Sequence, residues 1–286
     1  MGLLSRYKGR FAHYDVNNEM LHGGFFANRL GPGINTRMFQ MAKAMDPSAL
    51  LFVNDFSVED GKDWRASPRK YLDSIMELLR KGAPVDAIGI QGHASNPVVP
   101  HVLDALDVLA EARKPTNRPT SNYDLSSSLC GLEMPVGKSS DDASTRDQSI
   151  SIWFTEMDVV SSDERVRADD LEMMLRTAYA HPAVEGVVLW GFWKGCEGFP
   201  TCRVDAELVE GDWTLNEAGR RLEMVQKEWR SSDVCGRSNE NGQFCGRGHC
   251  GRYEVQVEWN GKVQQEVFDL ERGPGPKVIN IVVGAP

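Results

Sequence analysis

Short apolar blocks alternate with longer segments of helical periodicity along most of this chain, and the blocks end at a nearly constant spacing. The blocks are Phe11 to Glu19, Leu50-Leu-Phe-Val-Asn54, Ala87-Ile-Gly-Ile-Gln91-Gly92, Ile150 to Glu156 and Gly186-Val-Val-Leu-Trp190. Ends at 19, 54 and 91 are 35 and 37 residues apart, and those at 156 and 190 are 34 apart. Between them, Met38, Met41, Ala42 and Met45 share one helical face. Ser67-Pro68 supplies a cap and a first-turn proline for a helix carrying Tyr71, Leu72, Ile75, Met76 and Leu79, which Gly82 stops. Further helices are marked by Val102, Leu103, Leu106 and Leu109, by Leu171, Met174, Leu175 and Ala178, and by Leu222, Val225 and Trp229. The charged run Asp163 to Asp170 is the solvated start of one of them. Nearly continuous apolar strands alternating with helices define a parallel sheet covered on both faces, an α/β architecture.

One interval breaks the rhythm. Between Gln91 and Glu156 lie 65 residues, and the excess, residues 114–148, is rich in Ser, Thr, Pro and Asp without periodicity. Such a composition buries too little apolar area to offset its ordering entropy, so it is expected to be a mobile surface insertion. From about residue 231 the pattern becomes β. Tyr253, Val255, Val257 and Trp259 alternate, Asn260-Gly261 is a two-residue hairpin turn, and Val267 to Leu270 and Val278 to Val283 supply further strands. The expected organisation is a main domain over 1–230 and a C-terminal β-strand extension over 231–286.

Charge and cysteine usage narrow the partners. A net charge of -9 disfavours nucleic acid and suits a neutral polymer bound by stacking and hydrogen bonds. No run of about 18 apolar residues offers a membrane span, and the amino terminus shows no secretion signal. Cys130, Cys196, Cys202, Cys235, Cys245 and Cys250 all fall in loops, a distribution that favours disulfides in an oxidising compartment. A zinc site built from Cys245, His249 and Cys250 is the sharper alternative, but the paired Cys-x-x-Cys hooks of structural zinc are missing. No metal or cofactor is expected.

The chemistry points to Glu19 and Glu156. Each closes a block that runs apolar and then stops at Asn-Glu or Thr-Glu, which puts a carboxylate at the carboxyl end of a strand, where α/β barrels assemble catalytic groups. One such glutamate is ordinarily a solvated strand terminus. Two on separate strands, one beside Asn18 and the other two residues before Asp158, form the kind of carboxylate pair that hydrolyses glycosides. Glu19-x-x-His22 imitates half of a di-iron motif, but that motif needs two such pairs on a helix bundle.

Five motifs in order, Tyr7-Lys-Gly through Tyr14-Asp-Val-Asn-Asn-Glu19, Leu51-Phe-Val-Asn54-Asp55, Ile88-Gly-Ile-Gln91-Gly-His93, Trp153-Phe-Thr-Glu156-Met-Asp158 and Leu189-Trp190-Gly-Phe-Trp193, closely resemble glycoside hydrolase family 10, the endo-1,4-β-xylanases, in its plant-type branch. The resemblance covers nearly the whole chain apart from the insertion, and the β extension looks like the tail after the barrel in plant members. It implies a (β/α)8 TIM barrel, here partial with strands 4 to 8, acting on xylan with retention of configuration, in the cell wall or outside the cell. Glu19 would be the general acid/base and Glu156 the nucleophile, with carboxyl groups about 5–5.5 Å apart. Asn18 would contact the sugar 2-hydroxyl, His93 and Asp158 would orient Glu156 and keep it ionised, and Asn54 and Gln91 would line the sugar site. Trp190 and Trp193 would form the wall against which a pyranose packs.

The chain also departs from the family. Phe56 and Ser57 stand where relatives commonly carry Tyr and Asn, and the sequence opens just before the fourth barrel strand, so the first three βα units and their sugar-gripping residues are not in it. The alternative to a xylanase is therefore a non-catalytic or vestigial xylan-binding protein.

Overall fold

A computed structural model describes residues 2–114, 149–196, 202–231, 234–271 and 275–283. The expected insertion, apart from Lys114, lies outside them. The main elements are α1 (Gly2–Arg6), β1 (His13–Asp15), α2 (Phe25–Leu30), α3 (Ile34–Met45), β2 (Leu50–Asp55), α4 (Pro68–Arg80), β3 (Ala87–Ile90), β4 (His93–Ala94), α5 (Val99–Leu109), β5 (Ser151–Val159), α6 (Glu164–Ala180), β6 (Val184–Leu189), α7 (Glu217–Trp229), β7 (Gly251–Trp259) and β8 (Lys262–Leu270). The chain divides into two compact units, Met1–Arg220 and Arg221–Pro286.

The first unit is an open, all-parallel sheet, the partial (β/α)8 barrel expected. Its strands run β1-β2-β3-β5, with β6 pairing β5 and the two-residue β4 joining the end of β5. Parallel register aligns His13 with Leu50, Phe52 with Ala87 and Ile88 with Ile152. Leu51, Phe52, Val53, Ile88, Ile90, Ile152 and Phe154 are all fully buried, so the apolar blocks of the sequence are the core. On α4 the buried face, Tyr71, Leu72, Ile75, Leu78 and Leu79, is the periodic one, and Gly82 ends the helix at φ +80°. Ser67 precedes Pro68 as the N-cap but makes no side-chain cap bond. Asp163 does cap α6, accepting from the N–H groups of Arg165 and Val166.

Several boundaries differ from expectation. On α3 the buried residues are Thr36, Phe39 and Ala42 while Met41 is 40 % exposed, so the true inward face is rotated about a quarter turn from the methionine stripe. Methionine's flexibility makes it a weak marker of a buried face, whereas the rigid Phe39 ring decides the orientation. Strand β1 stops at Asp15, so Glu19 lies in the following turn and not at the strand end. Strand β5 continues three residues past Glu156 because Asp158 and Val159 pair with β4. Finally, β6 is only half-buried: it pairs with β5 alone among the described residues, and Val188 is 40 % exposed.

In the second unit, β7 and β8 form an antiparallel hairpin. Its turn is Asn260-Gly261, both at positive φ (+49° and +71°), as the two-residue loop requires. The expected strand at 278–283 does not form: these residues join no ladder, and Val278 and Val282 are 77 % and 81 % exposed. Apolar alternation alone cannot supply the partner that a strand needs for its hydrogen bonds.

Candidate active site

The carboxyl ends of β1, β2, β3 and β5 bring both glutamates to one residue, Gln91. Its side-chain Nε2 donates to Glu19 Oε1 at 3.0 Å, and its backbone carbonyl accepts the N–H of Glu156 at 2.9 Å. Gln91 is itself buried and donates its own N–H to the Asp55 carbonyl at 3.0 Å. Glu19 sits at φ +64°, a left-handed conformation that costs a non-glycine residue on the order of 1–2 kcal/mol. Its N–H donates to the Asn54 carbonyl at 2.9 Å, and its own carbonyl accepts from the N–H groups of His22 (3.1 Å) and Gly23 (2.8 Å). This turn, absent from any periodicity, aims the side chain.

Glu156 is held on both carboxylate oxygens. Asn54 Nδ2 donates to Oε1 at 3.2 Å, and His93 Nε2 lies 3.5 Å from Oε2. Thr155 fixes the Asn54 amide by donating its hydroxyl to Oδ1 at 2.6 Å, which leaves the NH2 end for Glu156. His93 Nδ1 lies 3.0 Å from Asp158 Oδ1, and Arg203 Nε lies 2.7 Å from Asp158 Oδ2, an ion pair whose N–H is not directed at the oxygen. Burial alone would lower the His93 pKa. The hydrogen bonds to Asp158 and Glu156, with the Coulombic pull of Asp158, outweigh burial and raise it to about 9. His93 is thus a cation at neutral pH, donating to two carboxylates.

Of the aromatic residues, Trp190 lies edge-on to His93, with ring centres 6.1 Å apart at 79°. Trp193 stacks on Trp213 at 4.9 Å and 13°. Asn18, next to Glu19, is exposed. Phe56 stacks on His22 at 3.7 Å, and Ser57 adopts φ +53°.

Four contributors carry no signal of their own in the sequence. Thr155 and Asp55 lie inside motifs already singled out, so adjacency was their only signal. Arg203 comes from a loop far along the chain and has none. Glu59 is the fourth: its carboxyl oxygens are buried and pair with no side chain, and burial pushes the carboxyl up to about 7, against the smaller opposing pulls of its own backbone N–H and of His93. Among the described residues no group of three or more His, Cys, Asp or Glu is arranged to hold a metal ion. Cys235, Cys245 and Cys250 are free and exposed, whereas Cys202 is disulfide-bonded.

Two half-buried carboxylates, Glu19 in the turn after β1 and Glu156 on β5, thus stand with His93 at the carboxyl ends of the strands of a partial α/β barrel, the face where such barrels carry their sites. The sequence profile of Glycosyl hydrolase family 10 matches residues 1–113. Endo-1,4-beta-xylanase 3 of Arabidopsis thaliana is 44% identical over 279 residues, covering 98% of this chain and 32% of that protein. Endo-1,4-beta-xylanase 1 of the same plant is 46% identical over 255 residues, 89% of this chain and 23% of that protein. The chain therefore spans about a third or less of these relatives. Among solved structures, xylanase 10B from Thermotoga petrophila RKU-1 in complex with xylobiose superposes with a TM-score of 0.57 at 22% identity, over 79% of this chain and 63% of that one, which shows the barrel fold. The chain is thus similar to glycosyl hydrolase family 10 over residues 1–113 and to plant endo-1,4-beta-xylanases over nearly its whole length.

Proposed function

We propose that this chain carries the catalytic carboxylates of an endo-1,4-β-xylanase, which cleaves internal β-1,4-xylosidic bonds of xylan by double displacement. The observation that carries this is the convergence on Gln91, one buried residue that binds the Glu19 carboxylate through its side chain and the Glu156 backbone N–H through its carbonyl. Glu156, held by Asn54 and the His93 cation, is oriented for attack on the anomeric carbon, forming a glycosyl-enzyme ester. Glu19 protonates the departing glycosidic oxygen and then, as a carboxylate, takes a proton from the water that hydrolyses the ester. The configuration is inverted twice and so retained. Asn18 and Trp190 contact the sugar at the cleaved bond, and Trp193, stacked on Trp213, serves a ring further away. The names of the similar Arabidopsis proteins and the xylobiose in the similar structure support xylan as the substrate. The disulfide at Cys202 supports a place outside the cell.

The test uses the full-length protein. Glu156→Ala abolishes cleavage of xylan and of an aryl xylobioside with an activated leaving group. Glu19→Ala abolishes only the former, because an activated aryl group departs without a proton. Equal loss on both substrates in Glu19→Ala, or an α-anomer as the first product by NMR, overturns the assignment.

A further inference from the structure

The turn that carries Glu19 contains two left-handed non-glycine residues, Asn17 at φ +50° and Glu19 at φ +64°, and so must be held by something outside itself. Three residues further on, His22 is held on both edges and one face. Its Nδ1 lies 2.6 Å from Asp55 Oδ1 and its Nε2 lies 3.2 Å from Asp63 Oδ2. Its ring lies on Phe56, 3.7 Å between centres and 14° from parallel. Asp55, at the end of β2, also accepts the N–H of Leu21 through Oδ2 at 2.7 Å and the N–H of Phe56 through Oδ1 at 3.0 Å. Asp63 is kept anionic: hydrogen bonds from the Arg65 side chain and backbone hold its carboxyl well below the usual range. Asp55 and Asp63 thus each face one ring nitrogen of His22 and clamp the imidazole between β2 and the following loop.

We propose that His22 is a positioning residue for Glu19, a bolt that fastens the acid/base turn to the end of β2 through Asp55 and to the following loop through Asp63. The path is short. The His22 N–H donates to the Glu19 carbonyl, so a shift of the ring is a shift of the peptide that aims the glutamate. Phe56 has a place in this device: as phenylalanine it offers a flat apolar face to the imidazole and adds no hydroxyl that would compete for its nitrogens. None of these groups touches Glu156, so the bolt acts on proton donation alone. The inference rests on Glu19 being the acid/base.

A purely structural histidine would affect stability or all substrates alike, whereas a bolt for the acid acts in proportion to the leaving group's need for a proton. The experiment compares kcat/KM of the full-length protein and its variants on xylo-oligosaccharides and on a dinitrophenyl xylobioside. His22→Phe keeps the stack and removes both hydrogen bonds. It is expected to lose on the order of 100-fold on the oligosaccharide, the effect of misplacing a catalytic group by about 1 Å, while kcat/KM on the activated substrate stays near the parent value. His22→Gln, which retains one donor, recovers part of the loss, and azide accelerates turnover of the activated substrate by His22→Phe. Equal loss on both substrates, or no loss on either, overturns the proposal when Glu19→Ala shows the leaving-group split. Absence of that split in Glu19→Ala sinks the acid/base assignment and this inference with it. Should His22→Phe fail to fold, Asp63→Asn, which leaves the Asp55 contact in place, decides by the same comparison: a smaller split of the same sign supports the bolt, and no split overturns it.

Discussion

His93 on β4 and Glu59 in the loop after β2 both have raised pKa values, for opposite reasons: carboxylate partners raise the first and burial the second. The His93 pKa, raised to about 9 from its ordinary 6.5, means that the folded protein binds this proton more tightly than the unfolded chain. Its contribution to stability is fully present below pH 6.5 and is lost as pH rises through 9. In the full-length protein, His93→Gln removes the cation beside Glu156, the proposed nucleophile, and the acidic limb of the pH–rate profile is expected to move to higher pH. A superimposable profile at normal activity would reduce His93 to a structural residue. Glu59 is raised from 4.5 to about 7 by burial, so its folded state prefers the neutral acid, and stability falls as pH rises from about 4.5 through 7. Glu59→Gln cannot ionise. Melts at pH 5 and pH 8 are expected to show the variant gaining on the parent by up to about 3 kcal/mol between the two, the linkage equivalent of that shift. No change with pH would mean that Glu59 is solvated or paired.

Among the elements, β3 decides how closely the strands carrying Asn54 and Thr155 approach. A Cβ at Gly89 would lie 2.5 Å from Asn54 Oδ1, 2.9 Å from Thr155 Cγ2 and 3.0 Å from the Val53 carbonyl. The Thr155 to Asn54 hydrogen bond, and through it the Asn54 contact to Glu156, is built in the space that glycine leaves. Gly89→Ala is therefore expected to cost about 1–3 kcal/mol by urea denaturation, the usual penalty of overpacking, and to lower activity of the full-length protein on activated and natural substrates alike. A neutral substitution would show that Asn54 can move without consequence. The strand ends that strayed from expectation have separate causes: β1 leaves the sheet where Asn17 and Glu19 turn left-handed although β2 continues to Asp55, and β5 runs past Glu156 because β4 pairs with Asp158 and Val159.

For the first unit as a whole, the sheet is open. Strand β1 pairs only with β2, and β6 only with β5, among the described residues. Both present backbone donors and acceptors at an edge beside exposed apolar groups such as Phe11 and Val188. Expressed as these 286 residues, the chain is expected to self-associate by light scattering and to show little xylan cleavage, whereas a longer protein whose additional strands cover both edges runs as a monomer. A monodisperse, cooperatively unfolding 286-residue monomer that cleaves xylan at the longer protein's rate would contradict this.

Legible along the chain were the alternation of strand and helix, the parallel character of the sheet, the hairpin at Asn260-Gly261 and the candidate carboxylates Glu19 and Glu156, with Asn54, Gln91, His93 and Asp158 in the same motifs. These are local properties: periodicity and turn chemistry are written in neighbouring residues, and a motif keeps its members adjacent. Visible only in three dimensions are the link from Gln91 to both Glu19 and Glu156, the reach of Arg203 to Asp158, the burial of Glu59 and the clamp of Asp55 and Asp63 on His22. Each depends on strand register and loop path bringing together residues far apart in the chain, and no local pattern encodes that distance. The same holds for residues 278–283, whose apolar alternation is real but whose strand would need a partner that the sequence cannot name.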